Sequence, residues 1–288
     1  MTGRTELFAA AHLACPVCQG ALEASERVLG CPAGHRFDLA RQGYVSLLDG
    51  KGTAHRSDTS GMVAARIRVF DGGLYTSIQK AVAAAVTQSS RDRSADGVVV
   101  DAGGGAGSYL TAVLDAGRGD AVGVNIDLSK SCARAAARAH PRVVSVIADL
   151  WASIPILTGT ASTVLSVFAP RNVAETTRIL MPGGHWVIVT PNSGHLAEIV
   201  EPMGMLRVGG GKADRLDADL SPDFDIADTE RVVASLDLPP DLLADVAGMG
   251  PAGFHRTREE LLTAAAALAS DGAVTATLDV TVTLARRR

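Results

Sequence analysis

Two groups of residues in this chain have the types and spacing to do chemistry. In Val98-Val99-Val100-Asp101-Ala102-Gly103-Gly104-Gly105-Ala106-Gly107, a carboxylate closes a β-branched run and a glycine-rich turn follows. Such a turn takes positive φ readily and lets backbone approach a ligand. The helical pattern that starts at Ser108 offers free N–H groups and a partial positive charge. These are the parts of a nucleotide-binding corner. Asp127 closes a second apolar run twenty residues beyond Gly107, and Asp149 closes a third. A carboxylate at Asp127 is placed to accept hydrogen bonds from ribose hydroxyls. Each acid also precedes a turn, so helix capping remains open for any one of them.

The second group is Cys15-Pro16-Val17-Cys18 and, twelve residues on, Cys31-Pro32-Ala33-Gly34-His35. Two short turns brought together supply three thiolates and one imidazole, a tetrahedral set for Zn²⁺. Four protein ligands leave no open position, so the metal is expected to be structural, holding a module too small for its own core. The plainer alternative is three incidental thiols and a surface histidine. Cys132 stands alone in an expected helix. In a reducing compartment a cysteine cluster points to metal before disulfides.

These residues need positioning elements, and from Gly97 strands alternate with helices, which predicts a doubly wound α/β domain. Strands are expected at 98–101, 121–126, 143–148, 163–168 and 186–190, with helices at 107–116 and 130–140. A tight turn at Met181-Pro182-Gly183-Gly184 precedes the fifth strand. Later come an apolar run at Val232–Leu238, a helix opened by the capping box Thr257-Arg258-Glu259-Glu260, and a final strand at 274–284. Upstream, helices are expected at 60–70 and 75–88. Arg66 and Arg68 read most simply as a solvated helix face. The polar stretch 50–60, with Lys51, His55 and Arg56, reads as a linker or mobile loop. The expected division is a zinc module over 1–49, a linker and helical segment over 50–96, and an α/β domain over 97–288.

Hydrophobic residues make up 47% and charged residues 20% of the 288, the balance of an ordinary globular protein. No charge-free apolar stretch reaches the roughly 18 residues of a membrane helix, and no secretory leader is visible, so a cytoplasmic location without membrane partners is expected. The net charge of −4 is uneven. Residues 1–140 carry 15 Lys/Arg against 13 Asp/Glu, and Asp214–Asp245 holds ten acids and two arginines. A nucleic acid should therefore approach the N-terminal half and avoid that stretch.

The dinucleotide fingerprint requires a third glycine where Ser108 stands, so that reading fails. Asp101-x-Gly103-x-Gly105-x-Gly107 instead resembles motif I of class I S-adenosylmethionine-dependent methyltransferases, whose fold is Rossmann-like. In those enzymes the turn wraps the amino-acid part of the cofactor. Asp149 then stands where they read the adenine amino group.

The wider pattern resembles the RlmA family of 23S rRNA guanine-N1 methyltransferases. The resemblance rests on the Cys15-to-His35 cluster with Phe37-Asp38-x2-Arg41-x-Gly43-Tyr44-Val45-x-Leu47-Leu48, and on Asp58-x3-Met62-x2-Ala65-Arg66-x3-Phe70-x2-Gly73-x-Tyr75. It continues through motif I, Ile126-Asp127-Leu128-Ser129-Lys130, Phe168-Ala169-Pro170-Arg171-Asn172 and Pro191-x3-His195-Leu196. The glycine triplet, Ala148-Asp149-Leu150-Trp151 and Phe168–Asn172 are similar to the second RlmA type, which includes tylosin-resistance methyltransferases of macrolide producers. The resemblance implies methylation of guanine N1 in hairpin 35 of 23S rRNA, macrolide resistance, and a homodimer whose zinc modules help form an RNA cleft. It implies cofactor contacts at Tyr75, Gly105-Ala106 and His195, with Leu128 and Leu150 beside the strand-end acids. Packing at a helix start for Tyr75, and a polar helix start for His195, are the structural alternatives.

N1 of guanine must meet the activated methyl in line and shed its proton, and no residue is identifiable as a base. The candidates for holding the flipped guanine are Phe168, by stacking, and Asn172, by hydrogen bonding to its pairing edge. The alternative there is a strand end with a proline stop. Two other functions stay open on the residues alone. One is a small-molecule methyltransferase, which an acidic surface favours; the other is a non-catalytic RNA-binding protein on the same fold.

Overall fold

The computed structural model describes all residues except 1, 49–52, 54, 90–96, 118–119, 207–219, 221 and 271. The expected features at Lys51 and Asp214–Asp219 lie outside the described residues. The zinc-module half contains α1 (Thr2–Ala9), β1 (Glu23–Ser25), β2 (Val28–Gly30), β3 (Arg36–Asp38) and β4 (Tyr44–Ser46), followed by α2 (Ser60–Asp71) and α3 (Thr76–Ser89). The alternating part contains β5 (Val98–Ala102), α4 (Ser108–Ala116), β6 (Gly123–Asp127), α5 (Lys130–Ala139), β7 (Val143–Ile147), β8 (Ala161–Val167), α6 (Val173–Ile179), β9 (Leu180–Pro191) and α7 (Ala197–Val200). After it come β10 (Phe224–Leu238), α8 (Pro240–Gly248), α9 (Arg258–Leu268) and β11 (Val274–Arg287).

Eight strands form one sheet in the order β10-β11-β9-β8-β5-β6-β7-β4. The pairs from β9 through β4 are parallel, and β11 runs antiparallel to both β9 and β10. β5 is buried along its whole length, as a β-branched run covered on both faces must be. Its side chains alternate between two cores. Val99 joins Ile78, Leu110, Leu243 and Val280 on one face, while Val98 and Val100 join Phe8, Leu29, Val124 and Trp186 on the other.

The second core carries a finding about the zinc module. Its Leu13, Cys15, Leu29 and Cys31 are packed into the same cluster as the sheet strands. β1, β2 and β3 make a separate antiparallel sheet, but β4 leaves them and pairs in parallel with β7, Tyr44 opposite Ser145 through Ser46 opposite Ile147. That pairing covers what would otherwise be an exposed edge of the large sheet.

Several expectations are refined. The Met181–Gly184 turn lies inside β9, where the pairing with β8 jumps from Ala161–Leu180 to Thr163–His185. The acidic stretch, where described, divides between two places. Its Asp225, Asp228 and Glu230 are exposed on β10, the outer strand, where charge discourages edge-to-edge pairing. Asp245, on α8, is buried instead.

Asp245 corrects the reading of Arg68 as solvated. Its Oδ2 and Oδ1 accept hydrogen bonds from Arg68 Nε and Nη2, both at 2.6 Å, and Oδ1 accepts a third from Arg258 Nε at 3.3 Å. One carboxylate thus joins α2, α8 and α9. Asp245→Ala should cost about 2 kcal/mol in urea unfolding, a value held down by the half-exposed Arg68. Thr257→Ala, which removes the capping box of α9, should cost about 1 kcal/mol. Equal stability of Asp245→Ala and the unsubstituted protein would contradict the joining role.

Candidate functional site

The turn after β5 is shaped by what surrounds it. Gly103 has φ +81°, and a Cβ there would lie 2.6 Å from the Cβ of Ala169. Gly105 has φ +56°, and its N–H donates to Asp127 Oδ2 at 3.0 Å. Asn125 Nδ2 donates to the Gly105 carbonyl at 3.2 Å. The turn is therefore fixed by groups at the end of β6. Gly107 lies away from the cleft, at the N-cap of α4, where a Cβ would touch Ala136 and Ala139 at 3.4–3.5 Å.

A cleft of about 580 Å³ opens at the carboxyl ends of β5, β6, β7 and β8. Asp101, Gly103, Gly105, Ala106, Asp127, Leu128, Asp149, Leu150, Tyr75, Phe168 and His195 all line it, so nearly every residue singled out for the cofactor is gathered there. Asp101 is fully buried, and neither carboxylate oxygen has a hydrogen-bond partner. Burial, with the charge of Asp127 added, pushes its pKa up to about 7. Asp127 is pushed up by burial, against the N–H groups of Ser129 and Gly105 that favour its ionised form. Asp149 accepts from the Thr53 hydroxyl at 2.6 Å and from the Trp151 N–H at 2.9 Å.

Two features of the cleft were misread or unread in the sequence. The described residues of the expected linker form a strap along the cleft, with His55, Arg56, Ser57 and Asp58 in its lining. The strap is tied down by Thr53 to Asp149, by the Asp58 carbonyl accepting from Ser129 Oγ at 2.8 Å, and by Arg56 lying 4.3 Å over the Phe254 ring. Arg66 is the other feature. It faces the cleft, pairs with Asp58 at 2.6 Å, donates to the Met249 carbonyl at 3.1 Å and reaches Gly105. It is not a solvated residue. The spacing Asp58…Arg66 across a helix start was the only sequence signal for this pair.

The chain has two Trp, three Tyr and six Phe, and Phe70, Tyr75, Tyr109, Trp151 and Phe168 all line this one cleft. Phe168, immediately after β8, has φ +54° and a 42% exposed side chain. A bulky residue in that region is strained, and such strain persists where the surroundings impose it. Its ring lies 5.6 Å from that of His195, tilted 32°, and meets Tyr75 edge-on at 6.2 Å. His195 Nδ1 accepts from the Asp279 N–H at 3.3 Å. Burial lowers its pKa to about 4 against the pull of the Asp279 carboxylate, so the ring is neutral at pH 7. Asn172 does not line the cleft. Its carbonyl oxygen caps α6 by accepting from Glu175 N–H, and its amide donates to the Leu150 carbonyl at 3.0 Å. Both ends are engaged, which leaves the pairing edge of a base to other groups.

The metal-ligand candidates also converge. Cys15, Cys18 and Cys31 Sγ and a His35 ring nitrogen all lie within 4.8 Å of one another. Cys18 and Cys31 sulfurs are 3.6 Å apart, and His35 Nδ1 is 3.3 Å from Cys31 Sγ and 3.6 Å from Cys15 Sγ. A tetrahedron with Zn–S of about 2.3 Å has edges of about 3.8 Å, so the set fits structural zinc.

Comparison with known proteins agrees with both centres. Residues 13–51 match the zinc-ribbon family described as RlmA, N-terminal. The chain is 43% identical over 275 residues to the 23S rRNA (guanine(748)-N(1))-methyltransferase of Streptomyces fradiae, covering 96% of each chain. It is 41% identical to a candidate 23S rRNA (guanine-N(1)-)-methyltransferase of Micromonospora griseorubida, covering 96% of this chain and 97% of that one. Among solved structures, a candidate methyltransferase in complex with the Haloferax volcanii Trm112 activator matches 81% of this chain and 99% of its own, with TM-score 0.51 and 17% identity. A candidate methyltransferase of Bacillus halodurans matches 71% and 97%, with TM-score 0.50 and 14% identity. These last two likenesses speak for the fold.

The raised pKa of Asp101 fixes a pH dependence. Between pH 3.8 and about 7 the folded protein holds a proton that the unfolded chain has released. This contribution to stability is complete below pH 3.8 and is lost as pH rises through 7. Without ligand, the melting temperature of Asp101→Asn relative to the unsubstituted protein should therefore rise between pH 5 and pH 8. The change is expected to be about 2–3 kcal/mol, or roughly 5–10 °C. A difference independent of pH would show that Asp101 is not held at a raised pKa.

Proposed function

Because this chain belongs to the family of 23S rRNA (guanine-N1)-methyltransferases, we propose that it methylates guanine N1 in hairpin 35 of 23S rRNA, at the base equivalent to position 748, with S-adenosylmethionine bound in the cleft. The observation that carries the reading is the row of carboxylates at the ends of β5, β6 and β7, one of them buried without a partner. The donor set matches the cofactor part by part. Asp101 suits its ammonium, Asp127 its ribose hydroxyls, and Asp149 its adenine amino group, with Leu128 and Leu150 beside the base and Tyr75 on the far wall. The bound cofactor supplies an electrophilic methyl group on a sulfonium.

The rest is positioning by this chain's own residues. The strand-end acids lie toward β7, whereas Phe168 and His195 follow β8 and β9 on the other side of β5. A guanine seated over the exposed ring of Phe168 would present its N1 between the two halves of the cleft. Burial by Tyr75, Met205 and Met249 limits water around the reacting atoms. The exposed acids of β10 are turned away from this use, and recognition rests on local arginines and RNA shape. Among the described residues no helix is long and apolar enough to cross a membrane, and an rRNA substrate places the enzyme in the cytoplasm. A homodimer, with the zinc modules forming an RNA cleft, and macrolide resistance in a sensitive host complete the proposal.

Incubation with labelled cofactor should modify 23S rRNA at a single guanine, read as one primer-extension stop because N1 methylation blocks pairing. RNA lacking hairpin 35 should take no label. Labelling that persists without the hairpin, or transfer only to small molecules, would overturn the assignment. An unchanged tylosin inhibitory concentration on expression would remove the resistance claim alone.

A further inference from the structure

The geometry points to His195 as a hydrogen-bond donor to O6 of the target guanine, stabilising the negative charge that gathers on that oxygen as N1 loses its proton. This rests on the guanine-N1 reading above and adds a catalytic residue to it.

The argument begins with the tautomer. Asp279 presents its backbone N–H to His195 Nδ1 at 3.3 Å, so that nitrogen is an acceptor and carries no proton. In a neutral ring the proton is then on Nε2, which points away from β11. His195 lines the cleft, and among the described residues Nε2 has no partner. The Asp279 side chain is held in place independently. Arg231 donates to it twice, at 2.9 and 2.8 Å, and Asn192 donates once at 2.7 Å. The backbone group that selects the tautomer is therefore anchored at both ends of its residue. Burial keeps the imidazole neutral at pH 7, so His195 neither adds a fixed positive charge nor takes up a proton at Nδ1. It is left with one function toward a ligand, an N–H aimed into the cleft.

Position then selects the ligand atom. His195 stands beyond Phe168 on the β9 side of the cleft, across β5 from Asp127 and Asp149. Its ring leans over that of Phe168 at 5.6 Å and 32°, so a base stacked on the exposed part of Phe168 would meet the imidazole at its edge. The pairing edge of guanine carries the acceptor O6 beside the N1–H. When N1 forms its bond to the methyl carbon, the electron pair of the S–C bond stays with sulfur. The N1 proton leaves to water, and its former bonding pair is shared between N1 and O6 in the transition state. A donor at O6 lowers the cost of that charge without acting as a base. A preorganised donor of this kind in a water-poor site is worth about 10²–10³ in rate.

The test is single-turnover methylation of a synthetic hairpin RNA whose target base is guanine or 6-thioguanine, in which sulfur is a poorer acceptor than O6. His195→Ala should slow the guanine reaction about 100-fold, while calorimetry shows cofactor affinity within about threefold of the unsubstituted enzyme. His195→Gln, which keeps a side-chain donor, should recover part of the rate. The thio substitution should slow the unsubstituted enzyme markedly and the His195→Ala variant little. Equal thio effects in the two proteins, or a loss confined to cofactor affinity, would overturn the O6 role and leave His195 as a cofactor contact. If the unsubstituted enzyme does not methylate N1 of the guanine hairpin at all, it is the underlying reading that fails.

Discussion

A carboxylate with no hydrogen-bond partner, buried at the end of the central strand, is the constraint around which this molecule is arranged. Asp101 cannot be moved into solvent without breaking β5, and cannot be satisfied by the glycine turn, whose N–H groups go to the Ile126 carbonyl and to Asp127. A Cβ at Gly104 would lie 2.6 Å from the Asp101 carboxylate, so even the space beside it is kept small. A polar group left this way costs stability, and it is retained where function supplies the missing partner. The cation of a sulfonium amino-acid cofactor is that partner.

The same cleft joins the two parts of the chain. The zinc module packs its core against the sheet and lends β4 to the sheet edge. The strap that leaves it runs past Asp149, pairs Asp58 with Arg66 and places Arg56 over Phe254. Arg66 faces three acidic or thiol neighbours, Asp58, Asp127 and Cys132, and its charge offsets theirs beside the ribose-binding carboxylate. Displacing the metal-bound module would thus be felt at the cofactor site through the strap.

How far the sequence reveals this depends on the range of the interactions. The strand-helix alternation, the caps at Ser129 and Thr257 and the strand-end acids depend on neighbours within a few residues, and they were legible. So was the ligand set, because each pair lies in a single turn. The environment of Arg68 was not, because its partner Asp245 is 177 residues away. Arg66 and the strap looked solvated for the same reason: polar residues without local periodicity read as a linker until a fold closes over them. Asn172 shows the converse. It was singled out for its hydrogen-bonding side chain, and helix capping with a bond to Leu150 takes up that capacity. The role of Phe168 as an exposed, strained ring was suggested by position alone, and only the backbone angle makes it specific.

The central claim is that Asp101 is a receptor for a cationic ligand, and proton linkage tests it most directly. Calorimetric titration of S-adenosylmethionine at pH 7, in buffers of different ionisation enthalpy, counts the protons exchanged on binding. With its pKa at about 7, Asp101 is roughly half protonated in the free protein and must ionise to meet an ammonium. The account predicts that the unsubstituted protein releases about half a proton more than Asp101→Asn, which should also bind more weakly. Equal proton release and equal affinity in the two proteins would contradict it.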